Sequence, residues 1–325
     1  MQPPALDTPD QYRQRFADAA YWTPYVQAVC QRHQLRSCTP IRTGLPGTFP
    51  VFIVAGRWVI KFYGQFFDGQ MAFHVEKEAT TLAASVPDLP VPPILGEGTL
   101  LPDGGWPYLI FPFVPGVSVG MVMTELPWGE KLALAVQMGH WLRQLHRVSL
   151  DSAIYLRPSW SAYASFLERQ RETVMPRLAA WGSLPSHLLS QVPDYLLPLA
   201  DLVGYGRLPV LLHADMTTDH VLGALQNGSW KTRAIIDFGD AMAGDPAYEL
   251  IPLHLDLFHQ DRRLLRAYLD AYGLDAAAQQ VLPHRAMSLA LLHMFDVLNG
   301  CFTTADLAAT ATLAELAERL WQTWY

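Results

Sequence analysis

Two short stretches decide how this chain is read: His213-Ala214-Asp215-Met216-Thr217-Thr218-Asp219-His220, and then Ile236-Asp237-Phe238-Gly239-Asp240. Each acidic motif comes directly after a short apolar segment, Val210-Leu211-Leu212 and Ala234-Ile235-Ile236, patterned as a short buried strand. Asn227-Gly228 between them predicts a hairpin turn. An isolated acidic residue after a strand is often only a helix cap. A His/Asp cluster can also be a hydrolytic metal site, but His213, Asp215, Asp219 and His220 lack the helical i, i+4 spacing of zinc signatures. Asp237-Phe238-Gly239 matches the magnesium-binding D-F-G motif, and His213–His220 fits H-x-D-x-x-x-x-N everywhere except its last position, a pair that suits phosphoryl transfer. That chemistry needs one carboxylate to orient an attacking hydroxyl and accept its proton, and another to hold Mg²⁺ on nucleotide phosphates. Asp215 takes the first role and Asp237 the second, with His213 bracing the loop by hydrogen bonding.

The first third of the chain supplies the parts that would grip a nucleotide. A helical pattern over Asp10–His33 leads to the breaker Gly44-Leu45-Pro46-Gly47, and Thr48 follows it. Val51–Val54 and Trp58–Tyr63 are β-branched and aromatic runs around Ala55-Gly56-Arg57, a predicted hairpin. Lys61 lies in the middle of the second run, where burial is unfavourable unless the ammonium is paired. The helix predicted over Met71–Ser85 carries Glu78, placed to reach back to it, with Glu76 as the competing partner; two residues apart on a helix, the two face different directions. Gly47 would let backbone approach a phosphate, with the Thr48 hydroxyl as a donor. After the Pro-rich 87–93 segment and a strand at Tyr108–Phe111, Pro112-Phe113-Val114 suits an adenine-binding hinge. Such a hinge uses a carbonyl at its first residue and an N–H two residues later, so proline loses nothing that recognition uses.

The remainder reads mainly as helices. Leu134, Met138, Trp141, Leu142 and Leu145 mark one face of a helix ending near His146, and further helices are predicted over Arg262–Tyr272 and Arg285–Leu298. The organisation expected is a small sheet-plus-helix lobe over 1–111, a hinge at 112–116 and a larger, mostly helical lobe over 117–325, an α+β, bilobal architecture. With 325 residues, half of them apolar and 16% charged, the chain has ample material for buried cores. A formal net charge of −7 disfavours nucleic acid and anionic membranes as partners and suits a cationic small molecule. No run is long enough to span a membrane, and Met1–Asp10 is polar and Pro-rich, unlike a secretory leader. Cys30, Cys38 and Cys301 have no metal-ligand spacing and read as free thiols in a reducing cytoplasm.

These motifs, with Val59-Ile60-Lys61-Phe62-Tyr63-Gly64, Leu145-His146-Arg147-Val148, Gly244-Asp245-Pro246-Ala247-Tyr248-Glu249 and Leu292-His293-Met294-Phe295-Asp296-Val297, resemble the aminoglycoside phosphotransferase family. That family is the small-molecule branch of the protein-kinase-like fold. The resemblance implies an ATP- or GTP-dependent kinase with Mg²⁺, in which Lys61 and Glu78 form the phosphate-binding pair and Pro112 and Val114 bind adenine. It makes Asp215 the catalytic base and Asp237 the principal metal ligand. Where the family has Asn as second metal ligand, this chain has His220, which leaves weaker Mg²⁺ binding, a Mn²⁺ preference or a shift of ligation to Asp219 all open. Ala214 replaces the usual Gly after His213. In the Gly244–Glu249 stretch, Asp245 as a helix cap with Pro246 in the first turn is the structural reading.

The acceptor implied is a hydroxyl-bearing small molecule, an aminoglycoside antibiotic such as hygromycin B. Several carboxylates are needed to pair its ammonium groups, and Asp240, Asp256, Asp261 and Asp296 are the candidates. Kinases of a macrolide or a metabolite, and a nucleotide-binding module with feeble catalysis, are the competing readings.

Overall fold

A computed structural model describes residues 4, 6, 8–45, 47–102, 105–204 and 207–323; Pro46 of the Gly44–Thr48 segment lies outside the described residues. The chain divides into two units, one of Met1–Gly116 with Arg233–Asp240, the other of Val117–Thr232 with Ala241–Tyr325. Residues 233–240, which the sequence assigns to the larger lobe, thus cluster with the smaller one.

In the first unit the stretch expected as one helix is two, α1 (Pro9–Arg15) and α2 (Ala19–Arg32). Asp18 causes the break: it is extended, and its carboxylate accepts from the Ala20 and Tyr21 N–H groups, starting a new helix. Strands β1 (Ile41–Thr43), β2 (Val51–Val54) and β3 (Trp58–Phe62) are followed by helix α3 (Gly69–Ala83) and strands β4 (Gly96–Thr99) and β5 (Pro107–Pro112). The sheet is antiparallel in the order β1-β2-β3-β5-β4. Ala55 and Gly56, at φ +53° and +63°, make the tight β2–β3 turn that sets Val54 opposite Trp58. One face of the sheet packs Phe52, Ile60 and Phe62 against Trp22 of α2. The other face carries Phe49, Tyr63 and Leu109 toward Phe73 of α3.

The second unit opens with β6 (Val117–Ser118) and α4 (Trp128–Leu145), then α5 (Trp160–Glu172) and α6 (Val174–Trp181). Three one-turn helices follow, α7 (Ser186–Leu189), α8 (Val192–Tyr195) and α9 (Leu199–Leu202). Strand β7 (Val210–Leu212) comes next, then the hairpin β8 (Val221–Gln226) and β9 (Ser229–Ile235), whose last residues pass to the first unit. Strand β10 (Met242–Gly244) pairs antiparallel with β7, Met242 opposite Leu212. The chain ends in α10 (Pro246–Pro252), α11 (Arg262–Tyr272), α12 (Ala276–Leu291), α13 (Thr304–Ala308) and α14 (Leu313–Trp321). Helices α4 and α11 touch closely at Gly139, where a Cβ would fall 2.6 Å from the Tyr268 carbonyl oxygen.

The helix expected over Arg285–Leu298 stops early, at Leu291. Beyond it the His293 ring takes over a backbone donor, Nδ1 accepting from Phe295 N–H at 3.2 Å, which turns the chain out of helix. All three cysteines are free thiols. Among the described residues no helix is long and apolar enough to cross a membrane.

Candidate active site

The period-2 alternation of β3 sends Ile60 and Phe62 into one core and turns Lys61 and Tyr63 to the face covered by α3. There the Lys61 ammonium, 6% exposed, is 2.7 Å from Glu76 Oε2 and 2.7 Å from Asp237 Oδ1. Tyr63, also buried, donates its hydroxyl to the same Glu76 oxygen at 2.7 Å. Burial alone would pull the lysine toward neutrality; Asp237 and Glu76 overcome it and raise its pKa, so the ammonium stays charged. Burial raises the Glu76 pKa, and Lys61 works against that rise. Asp237 sits at φ +64°, a left-handed conformation costly for a residue with a Cβ and typical of functional turns. Gly239 leaves the space beside the cluster open, since a Cβ there would lie 3.2 Å from Asp237 Oδ1 and 3.3 Å from Glu76 Oε2.

The expected Lys61–Glu78 pair is therefore not formed; Glu76 is the partner. Helix phase is the reason. The inward stripe of α3 is Phe73, Glu76, Ala79, Thr80 and Ala83, whereas Glu78 is half-buried off that stripe.

At the end of β5, Phe113 N–H donates to the Arg57 carbonyl at 2.8 Å, so residue 113 faces β3. Alternation then turns the Pro112 carbonyl and the Val114 N–H to the opposite edge. On that edge β4 pairing ends at Gly96–Ile110, with Leu95 N–H to Ile110 carbonyl the last bond. In the Gly44–Thr48 segment, the Tyr12 hydroxyl donates to the Thr48 carbonyl at 2.6 Å, and the Cβ position of Gly47 meets open space.

In the second unit the loop after β7 is held from beneath by Glu249 of α10. Its carboxylate, fully buried, accepts from His213 N–H at 2.7 Å and from Ala214 N–H at 3.2 Å. The His146 ring lies 3.7 Å from the same carboxylate and hydrogen-bonds through Nδ1 to the Tyr272 hydroxyl at 2.8 Å. Ala214 has φ +67°, which accounts for a glycine preference at this position. His213 Nδ1 accepts from Asp215 N–H at 3.3 Å, the bracing role expected of it. His220 Nδ1 donates to the Asp215 carbonyl at 2.6 Å, a tautomer that puts the ring lone pair on Nε2.

Asp215 lines a cavity of about 360 Å³ together with Asp256, Asp296, His293, Asn299 and Cys301, and its described lining includes no Lys or Arg. Asp256 accepts from Thr218 N–H at 2.6 Å, and Asp296 accepts from the Ser183 hydroxyl at 2.5 Å. Burial depresses the His293 pKa to about 3, so the ring is neutral. Burial, with Asp256 and Asp296 nearby, pushes the Cys301 thiol up to about 12. Three carboxylates against no cation make this an acidic chamber.

Residues 42–284 match the model of the phosphotransferase enzyme family, well over half the chain. The chain belongs to that family. Among solved structures, the GDP complex of wild-type aminoglycoside 2′-phosphotransferase-IIIa aligns over 91% of this phosphotransferase and 97% of that chain, at 19% identity and a TM-score of 0.66. The GDP and kanamycin complex of APH(2″)-IIIa aligns over the same shares, at 19% identity and 0.67. A thermostable mutant of APH(4)-Ia, in ternary complex with AMP-PNP and hygromycin B, aligns over 92% and 98% at 19% identity and 0.55. At these identities the likeness is one of fold, and the fold is the kinase-like one of the aminoglycoside phosphotransferases. A curated relative from Arabidopsis thaliana, named lysine-specific demethylase JMJ21, is 26% identical over 266 residues, 66% of this chain. The phosphotransferase spans 28% of the length of that relative.

The structure brings three of the sequence-predicted residues, Asp215, Asp256 and Asp296, to one cavity, and Lys61 and Asp237 to one ion-pair cluster. Asp240 lies in the first unit, on the short turn Phe238–Asp240, rather than in the unit that holds the cavity. Asp261 caps α11 and is committed to Arg263, whose side chain holds its pKa below the usual carboxylate range. Asp245 caps α10 as expected, and it is also paired with Arg207 and Arg285 at 3.0 and 2.9 Å. Sequence reasoning missed Glu249 and Tyr63. The first was hidden in a stretch read only as a helix start, the second in an apolar strand.

Proposed function

We propose that this phosphotransferase transfers the γ-phosphoryl group of ATP or GTP to a hydroxyl of a cationic small molecule. An aminoglycoside of the hygromycin B kind is the acceptor favoured. The observation that carries this reading is the cavity in which Asp215 shares its walls with Asp256 and Asp296 and, among the described residues, no Lys or Arg. Ammonium groups on the acceptor replace the water of those two carboxylates. This orients an adjacent hydroxyl toward Asp215, which accepts its proton as the oxygen–phosphorus bond forms and the nucleoside diphosphate leaves. Lys61, held by Glu76, binds nucleotide phosphate, and Pro112 and Val114 present a carbonyl and an N–H to the base.

Asp237 offers a hard oxygen donor at a strained turn with its side chain 37% exposed, which fits Mg²⁺ or Mn²⁺. Among the described residues no group of three or more His, Cys, Asp or Glu forms a complete metal cage. That suits a cation held partly by substrate phosphates. When bound, it neutralises charge on those phosphates. His220, through Nε2, is the second ligand proposed, a nitrogen donor that favours Mn²⁺.

The test is acceptor-dependent release of nucleoside diphosphate from ATP or GTP, with Mg²⁺ or Mn²⁺, across aminoglycosides, macrolides and common metabolite alcohols. Asp215→Asn should abolish turnover and keep nucleotide binding. Nucleotide binding with no turnover on any acceptor would replace this reading by a binding module.

A further inference from the structure

We propose that Tyr63 is a positioning residue for nucleotide binding: its hydroxyl holds Glu76 against Lys61 and thereby sets how the ammonium is shared between Glu76 and Asp237. This rests on the nucleotide-binding role given to Lys61 above.

The two carboxylates compete on equal distances, each 2.7 Å from Nζ. Their surroundings are unequal. The Asp237 side chain is 37% exposed and open to solvent; that of Glu76 is 3% exposed and depends on protein donors. Among the described residues those donors are Lys61 and Tyr63, both bonded to Oε2. A buried carboxylate that loses one of two donors is strongly disfavoured as the anion, and Lys61 then drifts to Asp237. Such a shift withdraws the ammonium from phosphate and neutralises the carboxylate that should face the cation.

Tyr63 is built to prevent this. It continues β3, its N–H donating to the Pro107 carbonyl at 2.8 Å, so it shares a face with Lys61. Its ring is wedged between Phe49 at 5.1 Å and Phe73 at 5.5 Å, fixing the direction of the hydroxyl. The ammonium lies 5.6 Å from the Tyr63 ring centroid and 5.8 Å from that of Phe49, so the aromatic walls also favour the charge on this side.

The test is Tyr63→Phe, which removes one oxygen and keeps the packing. ATP–Mg²⁺ affinity should fall about tenfold, the scale of one hydrogen bond to a charged group, and KM for the acceptor should stay unchanged. In a Glu76→Ala background the same change should cost less than about twofold, because the hydroxyl then has nothing to hold. Wild-type affinity in Tyr63→Phe, an equal rise in both KM values, or the full loss persisting without Glu76 each overturns the proposal. If Tyr63→Phe fails to fold, Glu76→Gln, whose amide oxygen still accepts from Tyr63, should bind ATP more tightly than Glu76→Ala; equal affinities overturn it. Wild-type protein that binds neither ATP nor GTP would overturn the underlying functional reading instead.

Discussion

Removing Glu249 should disable the catalytic loop from below without touching the nucleotide side. Its carboxylate is the acceptor for two buried backbone donors, His213 N–H at 2.7 Å and Ala214 N–H at 3.2 Å. Glu249→Ala leaves both without an acceptor, and an unsatisfied buried donor costs about 1–3 kcal/mol. The sum is about 2–6 kcal/mol, with a water entering the vacated space pulling toward the lower end. The loop then relaxes, because Ala214 is held at φ +67° against a preference of about 1–2 kcal/mol for right-handed backbone. A displacement of Asp215 by about 1 Å is enough to cost about 100-fold in turnover. Urea unfolding should therefore show a loss of about 3 kcal/mol. kcat should fall about 100-fold, with ATP affinity within twofold of wild type. Glu249→Gln keeps one acceptor oxygen but turns an NH₂ toward a donor, and should show about half the stability loss. A stable Glu249→Ala variant with wild-type kcat would refute the reasoning.

Three further outcomes are expected. Glu76→Ala should cost about 2–4 kcal/mol by leaving the buried Lys61 with only Asp237, and Glu78→Ala under about 1 kcal/mol; thermal and urea unfolding compare them, and equal losses would contradict the pairing seen. His254 and His293 have pKa values depressed by burial to about 4 and about 3. Both are neutral in the folded protein while the unfolded chain takes up protons near pH 6.5. Their contribution is therefore complete above about pH 7 and falls with pH below that, by about 1.4 kcal/mol per unit for each ring between pH 6 and 4. His254→Gln should remove one such increment from urea midpoints measured across that range, and an unaltered slope would show that His254 is not held neutral. Asp296→Asn, at a half-buried position, should raise KM for a cationic acceptor about tenfold, a change of about 1.4 kcal/mol, and Asp256→Asn, at an exposed one, about threefold or less; both should leave KM for ATP alone. A KM for the cationic acceptor that stays at the wild-type value in both variants would count against a cationic substrate.

What the sequence made legible divides along a physical line. Local chemistry was readable. A Lys inside β3 had to be paired; Asn227-Gly228 had to turn; Asp245 before Pro246 had to cap. The choice between Glu76 and Glu78 was also open to reading, since Phe73, Ala79, Thr80 and Ala83 form an apolar stripe that includes position 76 and excludes 78. Stripe membership decides which carboxylate meets Lys61, and Glu76 has it. Other features depend on residues far apart in sequence and carry no local mark. Arg207 and Arg285 converge on Asp245, and Glu249 reaches a loop more than thirty residues before it. Asp296 shows the intermediate case. Its placement requires α12 to end at Leu291, and nothing in the helical pattern of 285–298 signals that end, because a side-chain nitrogen of His293 rather than a Gly or Pro makes the turn. A helix stop made by a side chain competing for a backbone donor is weak in sequence and decisive in space. It brings Asp296 to the wall of the cavity that Asp215 also lines.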